Sequence, residues 1–342
     1  MRLQTTILTA LLTLSACRAP GRASTDPNTQ KSSANPTSSS GSTNPAQSGV
    51  PQVGPKRTVV VARPNHPLSQ NEARQYALAL INRDRAAEGL AEVVLDETAS
   101  KAAQRHAHDM AQNGFTAHWG TDGSVPEIRY TEAGGEDLAS ENAGCFGDAK
   151  PRTPTDEGPF DPAEIERFEA AFINETPPND GHRKNILNPM HNRVGLAFTG
   201  AVGSKVACVA HEFIDDYGSY TALPKSAKPG DVIHIEGEIR APFKFGGIGI
   251  ARVDLPTPQS PSALLKTGSY AMPEPHISFH TKEYKTPQPV KMNGNRFSID
   301  LTLNAAVLNN ATNGVYEVGI FVSKPGGGTQ LDPVSLRTIV VK

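Results

Sequence analysis

The chain has 342 residues, with 33 Lys and Arg against 35 Asp and Glu, a formal charge of −2 and a calculated pI near 6.6. An ordinary apolar content of 37% with near-neutral charge excludes a protein that works by neutralising nucleic-acid phosphates, so no nucleic-acid partner is expected. The length predicts soluble globular domains, two in number.

The first seventeen residues read as an address. Arg2 precedes an apolar run from Ile7 to Leu14 and small residues at Ser15 and Ala16, the pattern of a secretory signal, too short to span a bilayer. Leu14-Ser15-Ala16-Cys17 resembles a bacterial lipobox, in which Cys17 is acylated and becomes the mature N-terminus; the competing reading is an ordinary cleaved signal. The lipobox implies a membrane partner through lipidated Cys17, and Arg18 after it resembles outer-membrane sorting. The expected location is therefore outside the cytoplasm, anchored at the outer membrane or cell surface, or otherwise extracellular. Residues 18–57 are rich in Ser, Thr, Pro, Asn and Gln with few large apolar side chains, so they cannot bury enough surface to fold and read as a tether.

The expected folded part begins at residue 58. Thr58–Val61 reads as a short strand. Ser69-Gln70-Asn71-Glu72 is a capping box opening a helix that runs to Glu88 and stops at Gly89. Asp96 caps a second helix that carries Ala99, Ala103, His106 and Met110 on one face and ends at Gly114. Residues 116–148 read as loop. Asp161-Pro162 with Glu164 opens a third helix, on whose aromatic face Ile165, Phe168, Phe172 and Glu175 are expected to fall. A carboxylate on that face needs a partner, and His182, beyond the Pro177-Pro178 break, is the first candidate. Strands are predicted over Val194–Phe198 and Val206–Phe213. Cys145 and Cys208, an even pair once Cys17 is set aside, are expected to form a disulfide in an oxidising compartment; two buried thiols are the alternative.

From Ala222 to Lys342 no helical period is found. Val232–Ile239, Gly247–Val253, His276–His280, Arg296–Leu303, Gly314–Ser323 and Leu336–Val341 read as strands separated by turn residues. That number of strands suits an all-β sandwich over 222–342, similar to an immunoglobulin-like or fibronectin-type module, with Tyr316 placed like a tyrosine corner. The fold class expected for the chain is thus α/β over 58–218 followed by this sandwich.

His118, Glu141, Glu175 and His182 are the candidate site. Two imidazoles and two carboxylates suit a divalent metal, zinc first, although no closely spaced metal motif supports it. Glu141 and Glu175 are also the candidates for a general base. His106 is expected to be a core or cleft-edge histidine, His108 and His191 to be exposed, and His211 to lie on the strand that floors the cleft, either supporting the site or simply packed. The series His118-Trp119-Gly120, Glu141-Asn142-Ala143-Gly144, Phe172-Ile173-Asn174-Glu175 and Gly181-His182-Arg183-Lys184-Asn185-Ile186-Leu187-Asn188-Pro189 is similar, in order and spacing, to the CAP superfamily. These are the cysteine-rich secretory, antigen 5 and pathogenesis-related class 1 proteins, also called SCP-like extracellular proteins. The resemblance covers residues 69 to 218. It implies an α-β-α sandwich with a His/Glu/Glu/His cleft on those four residues, and themes of divalent-metal binding, sterol or lipid binding, protein partners and a disputed proteolysis. Phe172 departs from the family's usual Trp. The resemblance favours a binding module; a metal-dependent hydrolase and a purely structural polar network are the alternatives.

Overall fold

The computed structural model describes residues 13–14, 53–147, 149–201, 206–326 and 329–342; the proposed signal, Cys17 and the tether up to residue 52 lie outside the described residues apart from the two-residue strand Thr13–Leu14.

Helix α1 (Gln70–Ala87) is opened by Ser69 and Glu72, whose side chains cap each other's backbone, so the sequence signal and the structure coincide. Helix α2 (Glu97–Asn113) is capped by Asp96 and ends at Gly114 in the left-handed region at φ 72°. Both lie against one five-stranded sheet. Its main path runs Val94–Leu95, Arg193–Ala201, Val206–Asp215 and Leu138–Cys145, with Pro154–Thr155 also paired to Arg193–Ala201. Alternate residues of a strand face opposite sides, and the two faces are built differently. On one, Ala103 and Ala107 of α2 meet Ala197 and Ala210. A Cβ on Gly195 there would lie 2.2 Å from the Ala99 carbonyl carbon, so only glycine lets the helix approach so closely. On the other, α1 and the helix Pro162–Ile173 cover Val194, Leu196, Phe198, Val209 and Phe213 with Leu80, Ile165 and Phe168. The result is helix, sheet and helix layers.

Two expectations fail. Thr58–Val61 is not a strand: Val60 is 88% exposed, and the backbone instead follows the end of α1, where Gly54 N donates to Gly89 O and Arg57 N to Ala86 O. The stretch read as loop after residue 116 contains helix α3 (Pro126–Ala133), started by a proline in its first turn, and the strand Leu138–Cys145. Its polar composition hid both.

Helix α4 (Pro162–Ile173) is capped by Asp161, and the short α5 (Gly181–Ile186) follows. Beyond residue 217 the structure is β-rich. One sheet runs Ile277–Phe279, Lys244–Val253, Gly314–Ser323, Asp332–Val341 and Ser226–Ala227; the other runs Lys291–Asn293, Arg296–Thr302, Val232–Ile239 and Gly218–Tyr220. Their facing side chains, including Ile235, Ile248, Ile299, Val318 and Ile339, form one core. Tyr316 is buried and donates its hydroxyl to Leu308 O at 2.9 Å. The segment between Val253 and Ile277 leaves this core, carries the one-turn α6 (Pro261–Leu264), and lies on the first part of the chain. Leu264 packs with Phe115, Ala143 and Cys208. Tyr270 meets Trp119 edge-on at 5.3 Å.

Cys145 and Cys208 sit directly opposite each other on adjacent strands and are disulfide-bonded. On the chain-entropy estimate, a bridge with a sequence separation of 63 stabilises the fold by about 4 kcal/mol. Cys145→Ser with Cys208→Ser should therefore lower unfolding free energy by about 2–4 kcal/mol in urea titrations, and an unchanged midpoint would remove the bridge from the account of stability.

Candidate functional site

The first half of the site is built on the edge strand Leu138–Cys145. Glu141 is wholly buried in mid-strand, not on a loop as the sequence suggested. Its Oε1 lies 2.9 Å from His118 Nδ1 and its Oε2 accepts from Arg129 Nη2 at 2.6 Å. The same guanidinium donates through Nη1 to His118 O and Ser124 O, so one arginine of α3 fixes both the carboxylate and the turn that presents the histidine. His106 Nε2 rests 2.7 Å from Ala117 O and 3.6 Å from Glu141 Oε1. Burial pushes the Glu141 pKa up, but Arg129, His106 and His118 outweigh it and hold the carboxyl well below the usual carboxylate range. Burial with the Arg129 charge lowers His106 to about 4, so it is neutral at pH 7. Opposite Glu141 in the sheet stands Glu212, fully buried with neither oxygen hydrogen-bonded among the described residues. Burial, then the Glu141 charge, raises it well above the ordinary value, leaving one ionised and one neutral carboxyl side by side.

The second half is built at the end of α4. That helix stops at Ile173, where Asn174 turns its side chain back to Ala170 O. Glu175 therefore lies beyond the helix and not on its aromatic face; Pro177 holds the chain out of helical geometry from Thr176 onward. From there Glu175 Oε2 accepts the His182 amide at 2.8 Å, while Oε1 lies 2.5 Å from His182 Nδ1. The carboxylate thus satisfies an amide at the start of α5 and orients the imidazole with one group. Phe172 lies against the His182 ring at 4.5 Å between centroids, filling the place where the resemblance expected Trp.

The four predicted residues are therefore two pairs, His118 with Glu141 and Glu175 with His182. They flank the edge strand. Glu141 is in register with Glu212, on the α2 and α3 side, whereas the next residue, Asn142, is in register with His211 and faces α4 and α5. Asn142 Nδ2 donates to His182 O at 3.1 Å, which ties the two halves together. Among the described residues no three His, Cys, Asp or Glu are placed to hold one metal ion. Both carboxylates are committed to the Nδ1 atoms of their own imidazoles, an arrangement that fixes each ring. The donor types suit zinc, but these four side chains do not make one closed ligand set.

His191, expected at the surface, is 2% exposed. Its Nδ1 lies 2.6 Å from Asp215 Oδ1 and its Nε2 2.8 Å from Asn185 Oδ1, and Asn185 donates to Asn142. That polar chain was invisible because its members are spread over more than seventy residues. His211 floors the second half, as expected, packed by Phe172, Phe198 and Phe213. Burial, with the neighbouring His182, lowers it to about 3. Arg85, which sequence reasoning passed over, is fully buried and donates to the carbonyls of Ala91, Ile186, Asn188 and His191. It clamps the segment that follows His182.

No helix of the described residues is long and apolar enough to cross a membrane. A comparison with curated proteins finds no match to the chain. The family model of the cysteine-rich secretory protein family, CAP, matches residues 78–210, the span that holds most of the layered sheet, both His–Glu pairs and the disulfide. Residues 78–210 are therefore a CAP domain.

Proposed function

We propose that the CAP domain is a non-enzymatic binding module whose cleft presents two carboxylate-oriented imidazoles to a lipid or protein partner. The observation that carries this reading is the state of Glu141. A general base works best with a pKa near the operating pH, and Glu141 is held far below that by Arg129 and two histidines, with both oxygens occupied. It is a brace for His118, not a base. A divalent ion, zinc first, is proposed to bind at His118 and His182, with solvent supplying what the protein does not. No chemical step is assigned to it. Acylation of Cys17, which lies outside the described residues, would hold the domain at a membrane surface.

Zinc should bind the protein, prepared without a histidine tag, weakly and saturably in calorimetry, and His118→Ala/His182→Ala should abolish that binding with the circular dichroism spectrum retained. Peptide and ester panels should show no turnover; turnover that disappears with chelator and in Glu141→Gln would establish the hydrolase reading instead. Expressed in a bacterium that acylates lipoproteins, the full chain should partition into detergent, and Cys17→Ser should move it to the aqueous phase. If the two partition alike, the anchor is wrong.

The buried histidines set an acid limit. The free imidazole value is about 6.5, against about 4 for His106 and about 3 for His211, so the unfolded chain binds these protons first. Their contribution is fully present above about pH 6.5 and is lost as pH falls through that window toward the folded values. Replacing His211 by Leu should make the fall in melting temperature between pH 7 and 4 smaller than in wild type; equal falls would show that His211 is not the group being titrated.

A further inference from the structure

The segment between Val253 and Ile277, which leaves the β-rich core, brings one short strand, Tyr270–Ala271, against the first part of the chain. That strand is firmly held. The Tyr270 hydroxyl donates to Glu127 and its ring meets Trp119 edge-on. Further back along the segment, Gln259 N donates to Thr121 O at 2.8 Å, and Leu264 packs with Phe115, Ala143 and Cys208. Trp119 is only partly buried and packs against both apolar clusters of this seam, the one around Leu264 and the one around Val125, Ile128 and Tyr270. The seam is therefore apolar and fixed.

Tyr270–Ala271 belongs to neither sheet of the β-rich part. Among the described residues its one strand partner is Thr13–Leu14, antiparallel, with Thr13 opposite Ala271 and Leu14 opposite Tyr270. The Thr13–Leu14 backbone also lies beside α5 and the edge strand Leu138–Cys145, the elements that carry His182 and Glu141. Tyr270–Ala271, the edge strand and α5 thereby bound one channel, and an extended backbone runs in it. On the signal reading that backbone is a stand-in, because Thr13 and Leu14 leave the chain when Cys17 becomes the N-terminus. A strand edge without its partner is a ready template for another extended chain. The chemistry of the stand-in defines the ligand: from Leu3 to Ala16 the sequence has no charged residue and is rich in leucine.

We propose that this channel is a peptide-binding groove, which takes an extended, uncharged apolar segment of a partner protein by strand addition to Tyr270–Ala271, with the edge strand and α5 as its other walls. The inference rests on the binding reading above and gives the protein partner of that reading its chemistry. Main-chain bonds to the strand edge supply affinity that any extended peptide can use, and the apolar surroundings select uncharged side chains. An acyl chain has no amide or carbonyl to offer that edge, so backbone pairing separates a peptide from a lipid. Because Tyr270 is already fixed by Glu127 and Trp119, little freedom is lost on the protein's side.

The probe is a fluorescent peptide with the sequence of residues 8–16, followed by anisotropy in the presence of chelator. The chain without its first seventeen residues should bind it saturably. The chain that keeps them should bind it at least tenfold more weakly, since its own leader occupies the groove. The same peptide N-methylated at Thr13 and Leu14 keeps every side chain but loses the main-chain donors, and should bind the shortened chain at least tenfold more weakly; so should a peptide carrying Leu14→Asp. Absence of saturable binding, equal binding of the plain and N-methylated peptides, equal binding by the two chains, or displacement of the peptide by equimolar palmitate would each overturn the proposal. With zinc chelated throughout, none of these outcomes depends on the metal proposed at His118 and His182, and the binding reading itself falls on a different result, turnover of the peptide and ester panels.

Discussion

The guanidinium of Arg129 beside the carboxylate of Glu141 is the contact on which the first half of the site rests. Both groups are buried, and an ionised carboxylate without a partner at that depth would be strongly unfavourable. Arg129 meets that need with one nitrogen and uses another to hold the backbone of His118 and Ser124. The edge strand, the His118 turn and helix α3 are thereby fixed relative to each other. Rigidity of this kind suits recognition, since groups already held in place lose little freedom when a ligand arrives.

The second half uses the same device with different partners. Arg85 reaches from α1 to three carbonyls between Ile186 and His191, and Glu175 ties the start of α5 from the other end. His182 is held between the two. Each imidazole of the candidate site is thus positioned by a buried arginine and a carboxylate, and the edge strand stands between the pairs with Asn142 as the link. The separation follows from the alternation of a β-strand. Glu141 and Asn142 are consecutive, so their side chains leave on opposite faces, and a single four-residue ligand cage is not what this backbone provides.

What the sequence made legible were features with local signatures. The capping box at Ser69, the Asp96 cap with Gly114, and the alternating strands around Leu196 and Val318 are written in residues a few positions apart. The four site residues are legible through the order and spacing of several separated motifs, and not through any closely spaced metal motif. Long-range satisfaction was not legible. Arg85 and Arg129 carry no signal in the sequence, since their acceptors are mainly backbone carbonyls, and His191 is expected at the surface because Asp215 and Asn185 become its partners only in the folded chain. Glu175 departs from its expected place for a local reason: the helix ends at Ile173 with Asn174 as its cap, ahead of Pro177, so the helical period does not extend to Glu175.

Helix α3 also joins the CAP domain to the β-rich part, and there its chemistry is reversed. Glu127, two residues before Arg129, accepts from the Tyr270 hydroxyl and stands with the buried Glu317 of strand Gly314–Ser323. Burial raises the pKa of Glu127, and burial together with Glu127 pushes Glu317 up to about 10. Glu317 is therefore held neutral at pH 7, with Tyr270, Glu127 and Arg129 as its titratable surroundings. The sign follows from linkage: a carboxyl whose folded value is raised contributes stability that is fully present below its unfolded value and is lost as pH rises toward the folded one. Such a contact loosens toward alkaline pH, whereas the His106 and His211 contributions weaken toward acid. One helix carries an ionised pair on the side that braces His118 and a protonated carboxyl contact on the side that meets Tyr270, whose ring covers Trp119. The junction and the candidate site therefore answer to pH in opposite senses through neighbouring residues of the same helix: the carboxyl contribution is complete only below about pH 4.3 and the histidine contributions only above about pH 6.5, so no single pH gives both in full.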